Sequence, residues 1–272
     1  MARVDNLSHF LTDVADAIRT KTGSSETIIA SDFDTKIENI PSGGGDLGDY
    51  FNSTISYSSG TSGVNEMIKQ IPSNTVISGT NMDKMFNGCT SLTTIPLFDT
   101  SNITTMNETF RYCTGLTTVP LFNTSNVTVM NGMFRYCTGL TTVPLFNTSN
   151  VTAMNGMFTY CSNLVEIPQF NTSKVNTMLG MLNYCSKLTT VPVLDTSSIN
   201  FNNGFQNMFT STTKLTDESL NNILTMCINA TSYNGTKTLA FMGFQSRDYS
   251  ASRIEALSNY QDFINAGWTI GY

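Results

Sequence analysis

The apolar positions in the middle of this chain recur every 24 residues, a period that belongs to a stacked repeat and not to a single helix or strand. Leu92, Leu116, Leu140, Leu164 and Leu188 keep that step, as do Met82, Met106, Met130, Met154 and Met178. Pro72, Pro96, Pro120, Pro144, Pro168 and Pro192 keep it too, each behind a β-branched residue (Ile71, Ile95, Val119, Val143, Ile167, Val191). The unit reads C-x-x-L-x-x-[IV]-P-x-[FL]-[DN]-T-S-x-[IV]-x-x-M-x-x-x-[FL]-x-x. Residues 113–136 and 137–160 match at 22 of 24 positions, differing only at Val129/Ala153 and Arg135/Thr159. Such identity marks a duplication and says little about constraint. Residues 161–184 diverge widely yet keep Cys161, Leu164, Ile167, Pro168, Phe170, Val175, Met178 and Leu182. Those positions define the coil.

Within one coil the pattern changes period. Leu116, Val119 and Leu121, with polar Thr117 and Thr118 between them, predict a short extended segment. Asn123-Thr124-Ser125 then turns the chain, with Asp at the equivalent positions 99 and 195 and Asn at 147 and 171. Asp and Asn share a side-chain carbonyl oxygen, so this cluster is suited to capping a helix. Val127, Met130, Phe134 and Cys137 follow at i, i+3, i+7 and i+10, one stripe of a helix. A single coil buries too little to hold itself; stacked coils share a core. The expected fold is therefore an α/β solenoid of leucine-rich-repeat type, with a parallel sheet on one face and helices on the other, over residues 64–215.

The flanks read differently. Leu7, Phe10, Leu11, Val14, Ala17 and Ile18 form a helical stripe, and a second short helix starts at Ser31-x-x-Asp34 and stops before Pro41. Forty residues bury too little to stand alone, so 1–41 is expected to be an attachment or oligomerisation module. Gly43-Gly44-Gly45 opens a linker and irregular first turn at 42–63. Residues 216–272 are expected to cap the far end, with a helix from Asp217 to Ile228 and a capping box at Ser252-x-x-Glu255.

Charge narrows the partners. Only 12% of residues are charged and the net charge is −6, with no basic cluster of the kind that neutralises phosphates, so nucleic acid is not an expected partner. No apolar run approaches the length of a membrane span. The segment after Met1 is polar and amphipathic, unlike the apolar core of an export signal; synthesis in the cytoplasm without such a signal is the expectation.

Chemistry is sparse. The one histidine, His9, has no nucleophile marked near it, and no phosphate-binding loop, H-E-x-x-H or calcium loop is present. No enzyme activity, cofactor or metal is expected. Five of the six cysteines (89, 113, 137, 161 and 185) fall one per coil, the spacing of a buried stack and not of a disulfide framework or of four converging zinc ligands. The Asn-x-Ser/Thr sequons at Asn102, Asn126 and Asn150 fit a turn role. Two ladders could meet a ligand: Tyr112, Tyr136, Tyr160 and Tyr184 with Arg111 and Arg135, for which packing between coils with the hydroxyls in solvent is the favoured reading, and the sheet-face row Thr94, Thr118, Thr142, Glu166 and Thr190, where Thr also simply suits a strand.

The repeat, C-x-x-L…[DN]-T-S-N-V-T-x-M-x-x-M-F, resembles the BspA-type leucine-rich repeats of bacterial and mycoplasma surface proteins. It departs from them where Val-Pro-Leu-Phe replaces a longer Leu-Asp-Leu-Ser-type stretch. That resemblance implies adhesion or receptor contact and carries no catalytic residue. The opening Asn6-Leu7-Ser8-His9-Phe10-Leu11-Thr12-Asp13-Val14-Ala15-Asp16-Ala17-Ile18-Arg19 is similar to the N-terminal segments of tail-associated proteins from phages of Gram-positive bacteria. The ending, from Leu220-Asn221-Asn222-Ile223-Leu224 to Gly267-Trp268-Thr269-Ile270-Gly271-Tyr272, resembles the termini of leucine-rich proteins from the same phages. These likenesses imply a virion tail or tail-fibre protein. By analogy with such fibres it would be a homo-oligomer such as a trimer, joined to other tail proteins through 1–41 and binding a host-surface glycan or protein. The alternative is a bacterial surface adhesin or interaction module with no virion role.

Overall fold

The structure, a computed structural model, describes residues 79–97, 99–200, 207–240 and 249–271. The expectations for 1–41 and 42–63 lie outside the described residues. Between 79 and 200 the chain winds into stacked coils of a leucine-rich-repeat-type solenoid. Equivalent residues of neighbouring coils face each other: Phe86, Phe110, Phe134 and Phe158 stack in one file with ring centroids 5.5–5.8 Å apart. Phe122, Phe146 and Phe170 form a second file at 6.5 Å. Leu116, Val127, Met130, Phe134 and Cys137, and their counterparts one coil away, are fully buried. The shared interior drawn from the period is present.

The backbone that carries these side chains is not the expected one. The stripe at 127, 130, 134 and 137 is buried as a helical stripe would be, yet its segment is a run of tight turns. Alternate amides leave the coil: Met130 donates to Ala153, Gly132 to Asn155, Phe134 to Met157 and Tyr136 to Thr159, at 2.8–3.0 Å. Amides between them reach back three residues, as Arg135 does to Gly132 and Cys137 to Phe134. A helix would spend every such amide on the carbonyl four residues back. Positive φ at Gly132 (59°) and Tyr136 (64°) reverses the chain every fourth residue, which an α-helix cannot do.

The sheet differs as well. Around the prolines the coils are joined sparsely, by single bonds such as Thr141 N–H to the Thr117 carbonyl at 3.3 Å, and among the described residues only Glu166 and Thr190 pair in register there. Proline has no N–H to give, and Phe122 N–H is spent locally on the Pro120 carbonyl. A parallel pairing does recur at every described coil, but beyond the turn, linking Asn81, Thr105, Val129, Ala153 and Thr177. The Asx-Thr-Ser cluster also has another job. Asn123 Oδ1 accepts from the Ser125 amide (3.2 Å) and hydroxyl (2.8 Å), closing a turn and capping no helix. Thr124 is buried and donates to the Asn147 carbonyl one coil on, at 2.9 Å. Thr100, Thr148 and Thr172 repeat that bond.

After Leu215 the chain changes character. Helix α1, Asp217–Asn229, starts at Thr216, whose side chain accepts from Ser219 N–H. It lies on the last coil and meets backbone groups that another coil would have met. The Ser219 hydroxyl donates to the Thr189 carbonyl (2.9 Å) and accepts from Val191 N–H (3.0 Å), while Asn222 donates to the Val191 carbonyl (3.0 Å). Strand β1 (Thr238–Ala240) pairs in parallel with β2 (Thr269–Gly271). Short helices α2 (Ala251–Glu255) and α3 (Tyr260–Asn265) lie between them in sequence. The α2 cap is Ser250, accepting from Arg253 N–H, and not the Ser252 of the expected capping box. Phe263 and Trp268 fill this segment's core.

Candidate interaction surfaces

Four successive coils bring a tyrosine to the same place in a strained backbone setting. Tyr112, Tyr136, Tyr160 and Tyr184 have φ of 63°, 64°, 64° and 58°, a conformation that costs an ordinary L residue about 1–3 kcal/mol and persists only where the surroundings impose it. Their rings lie face to face, with centroids 4.5, 4.5 and 4.2 Å apart and planes within 11° of parallel. Packing uses up the inner ring faces, so a sugar ring has no aromatic platform inside the row; what remains is the edge with its hydroxyls. Desolvation within the stack, followed by the bond with the Tyr184 hydroxyl, pushes the Tyr160 phenol above the ordinary value.

Arg111 and Arg135 extend this row. Arg111 lies over the Tyr112 ring, its Cζ 4.9 Å from the centroid, and pairs with Glu108 at 2.8 Å. Arg135 lies over Tyr136 at 5.4 Å. In its coil Gly132 stands where the preceding one has Glu108, so the same carboxylate partner is not available.

The threonine row is where the sequence puts it. Thr94, Thr118, Thr142, Glu166 and Thr190 are all exposed, and Glu166 pairs in register with Thr190. Beside them runs a row of apolar residues from the expected extended segment that the structure turns outward. Leu97, Leu121 and Leu145 are 65, 59 and 56% exposed. Phe122, one residue later, is buried in place of Leu121. The signal was in the next coil, where Gln169 holds the same position.

Two further features came from the structure alone. Asp83, Asn107, Asn131 and Asn155 form a side-chain ladder that accepts backbone amides of the following coil: Asn131 N–H donates to Asn107 Oδ1 (3.1 Å) and Asn155 N–H to Asn131 Oδ1 (2.8 Å). Its oxygens are occupied in holding coils together. The other is an open groove of about 780 Å³ where the last coils meet the end of α1, lined among others by Gln169, Asn171, Val193, Asp195, Asn229 and Thr231.

Cys89, Cys113, Cys137, Cys161 and Cys185 form a buried file, and Cys227 is buried apart from it in α1. Cys113, Cys137, Cys161 and Cys185 each donate an S–H to a phenylalanine carbonyl one coil back, at 3.0–3.1 Å. Burial pushes the Cys113, Cys137 and Cys161 thiols well up and Cys185 to about 12. Among the described residues no group of three or more His, Cys, Asp or Glu could hold a metal ion, and no helix is long and apolar enough to cross a membrane.

A stack of 24-residue coils with a continuous phenylalanine and cysteine interior defines a repeat protein of leucine-rich, BspA-like type. The chain belongs to the family described as "Mycoplasma protein of unknown function, DUF285", whose model matches residues 55–162, 80–193 and 141–240. No curated protein matches it. It is similar to a leucine-rich repeat protein of T. pallidum, with 15% identity over 56% of this chain and 82% of that one and a TM-score of 0.35. It is also similar to a leucine-rich repeat protein from Eubacterium ventriosum, with 18% identity over 45% of this chain and 37% of that one and a TM-score of 0.29. This chain thus spans well under half of the latter protein's length.

Proposed function

We propose that this chain is a non-enzymatic surface-contact protein of a phage tail, in which the solenoid meets the host cell and residues 1–41 join it to other tail proteins or to further copies of itself. The observation that carries the contact role is the outward presentation, coil after coil, of uncharged side chains that the fold does not use. The Thr94, Thr118 and Thr142 hydroxyls and the Leu97, Leu121 and Leu145 side chains all face solvent. A row repeated in register is suited to an extended partner. The tail assignment is supported by the likeness of the opening and closing segments to phage tail-associated proteins. The family match, made through a description of mycoplasma proteins, favours the second reading, a bacterial surface adhesin with no virion role.

Labelled antibody against this chain, applied to purified particles and to the envelope fraction of the cells that make it, separates the two readings. Label on tails, lost when residues 1–45 are deleted while the solenoid remains folded, is the expected result. Label confined to the envelope fraction establishes the adhesin and ends the virion role.

A further inference from the structure

We propose that the groove between the last coils and the end of α1 is a binding site for a neutral saccharide. The proposal rests on the surface-contact reading and gives it a ligand class. The groove exists because the stack stops there. In the interior, the buried threonine of each Asx-Thr-Ser turn bonds to the turn of the next coil, as Thr172 does to the Asp195 carbonyl. Thr196 bonds instead to the Met226 carbonyl of α1, and the end of the helix leaves open the space that another coil would fill.

The polar atoms in that space are fixed and partly unspent. Asp195 and Asn171 are each locked by an Asx turn: Asp195 Oδ1 accepts from the Ser197 amide (3.0 Å) and hydroxyl (2.7 Å), Asn171 Oδ1 from those of Ser173 (3.2 and 2.8 Å). Asp195 Oδ2 and Asn171 Nδ2 remain. Gln169 Nε2 donates to the Val193 carbonyl at 2.5 Å, which leaves its Oε1. The Asn229 amide and Thr231 hydroxyl complete a set holding both donors and acceptors, next to apolar Val193. Vicinal sugar hydroxyls donate and accept at once, and their C–H faces need an apolar neighbour; a mixed set over an apolar edge meets both needs.

Charge argues against an anionic ligand. The Ser197 hydrogen bonds hold the Asp195 carboxyl below its usual range and so ionised, no cation among the described residues lines the groove, and the last turn of α1 carries no basic residue. An anionic sugar would meet a carboxylate and the negative end of a helix.

The test uses the full chain and titration calorimetry with neutral trisaccharides of glucose, galactose and N-acetylglucosamine. The fully de-N-acetylated glucosamine trisaccharide is the cationic control, and a glucuronate trisaccharide the anionic one. At least one neutral probe should bind, with the anionic one silent. Two variants keep the fold by imitating other coils. Q169L restores the leucine found at 97, 121 and 145, and D195N the asparagine found at 123, 147 and 171. Each should weaken binding about tenfold or more, as loss of a hydrogen-bond partner does. No binding by any neutral probe, binding unchanged in both variants, or stronger binding of the cationic trisaccharide than of its N-acetylated counterpart overturns the proposal. Attachment of labelled chain to host cells distinguishes its failure from that of the wider reading. If the double variant attaches as well as the unaltered chain, the groove is wrong and surface contact stands; if the unaltered chain does not attach, both fall.

Discussion

The coils and the segment that follows them solve the same problem in opposite ways. In the coils the hydrogen bonds run between units: Phe110 N–H reaches Met133, and Phe134 N–H reaches Met157. In α1–α3 they run within the element, and only a few side chains, Ser219, Asn222 and Thr196 among them, stitch it to the last coil. A coil is therefore a structure only in company, whereas the closing segment holds its own backbone and touches the stack at one end. The difference teaches where damage should spread. A lesion in a coil removes support from neighbours on both sides, and a lesion in the closing segment is confined to it and to the coil beneath.

The largest expected effect is chemical and falls mainly on the coils. Cys113, Cys137, Cys161 and Cys185 are buried there with raised pKa values, against Cys227 in α1. A thiol whose folded pKa is raised contributes stability that is complete below its unfolded value near 9 and is lost as pH climbs towards the folded value, about 12 for Cys185. One pH unit above the unfolded value, each such thiol costs about 1.4 kcal/mol. Denaturant melts at pH 8 and pH 10 should therefore differ by several kcal/mol, the alkaline midpoint being lower. Coincident midpoints would contradict the burial of the file. All these thiols should also stay unreactive to a thiol reagent until unfolding.

Next comes Phe134→Ala against Phe263→Ala. Both side chains are fully buried, and each truncation should cost about 3–5 kcal/mol locally. Their reach should differ. Phe134 stacks on Phe110 and Phe158, so hydrogen exchange in its variant should rise through the coils on either side. In the Phe263 variant the amides of residues 106–161 should keep their protection. Equal spread from both sites would erase the contrast between the two regions.

What could be read from the sequence follows the same division. The period located Leu116, Met130, Phe134 and Cys137 in a shared interior because burial depends on which residues recur. It did not reveal the backbone, because i, i+3, i+7 and i+10 are buried equally by a helix and by consecutive tight turns. The warning was Gly132, Gly156 and Gly180 in the middle of three of the supposed helices, where glycine costs about 1 kcal/mol against alanine. All three sit at positive φ. Likewise Pro120 was visible in the supposed strand, and a missing N–H there thins the pairing. The tyrosine file was legible as a row, but its face-to-face closure was not, since ring spacing is set by the stacking distance. The groove could not be read at all. Gln169, Asp195 and Asn229 come from three separate stretches that only the fold brings together.

A smaller effect tests the bonds between coils one at a time. Thr148 is buried and donates to the Asn171 carbonyl at 2.8 Å. Thr148→Val keeps the shape and leaves that carbonyl without its donor, a cost of about 1–3 kcal/mol by denaturant melting. In the closing segment Thr225 is only half-buried; it donates to the Asn221 carbonyl inside α1 at 3.0 Å and accepts from Asn259 at 2.7 Å, and Thr225→Val should cost less because water reaches the groups it leaves unpaired. A larger loss at Thr225 would mean that the side chains of α1, and not the ties between coils, hold the more stability.

The smallest expected change carries the sharpest reading of the coil surface. Leu121 stands outward at 59% exposure, whereas Leu220 on α1 is fully buried. Leu121→Gln copies what the coil at 169 already contains and should shift stability by no more than about 0.5 kcal/mol. Leu220→Gln should cost several times that, by burying an amide with no assured partner. Leu97→Gln and Leu145→Gln should be as mild as Leu121→Gln, and the three combined should stay additive, since exposed side chains in separate coils share no buried contact. If the triple variant instead unfolds the stack, the leucine row is part of the interior and not a surface offered to a partner. The contact role would then have to rest on the threonine row and the groove.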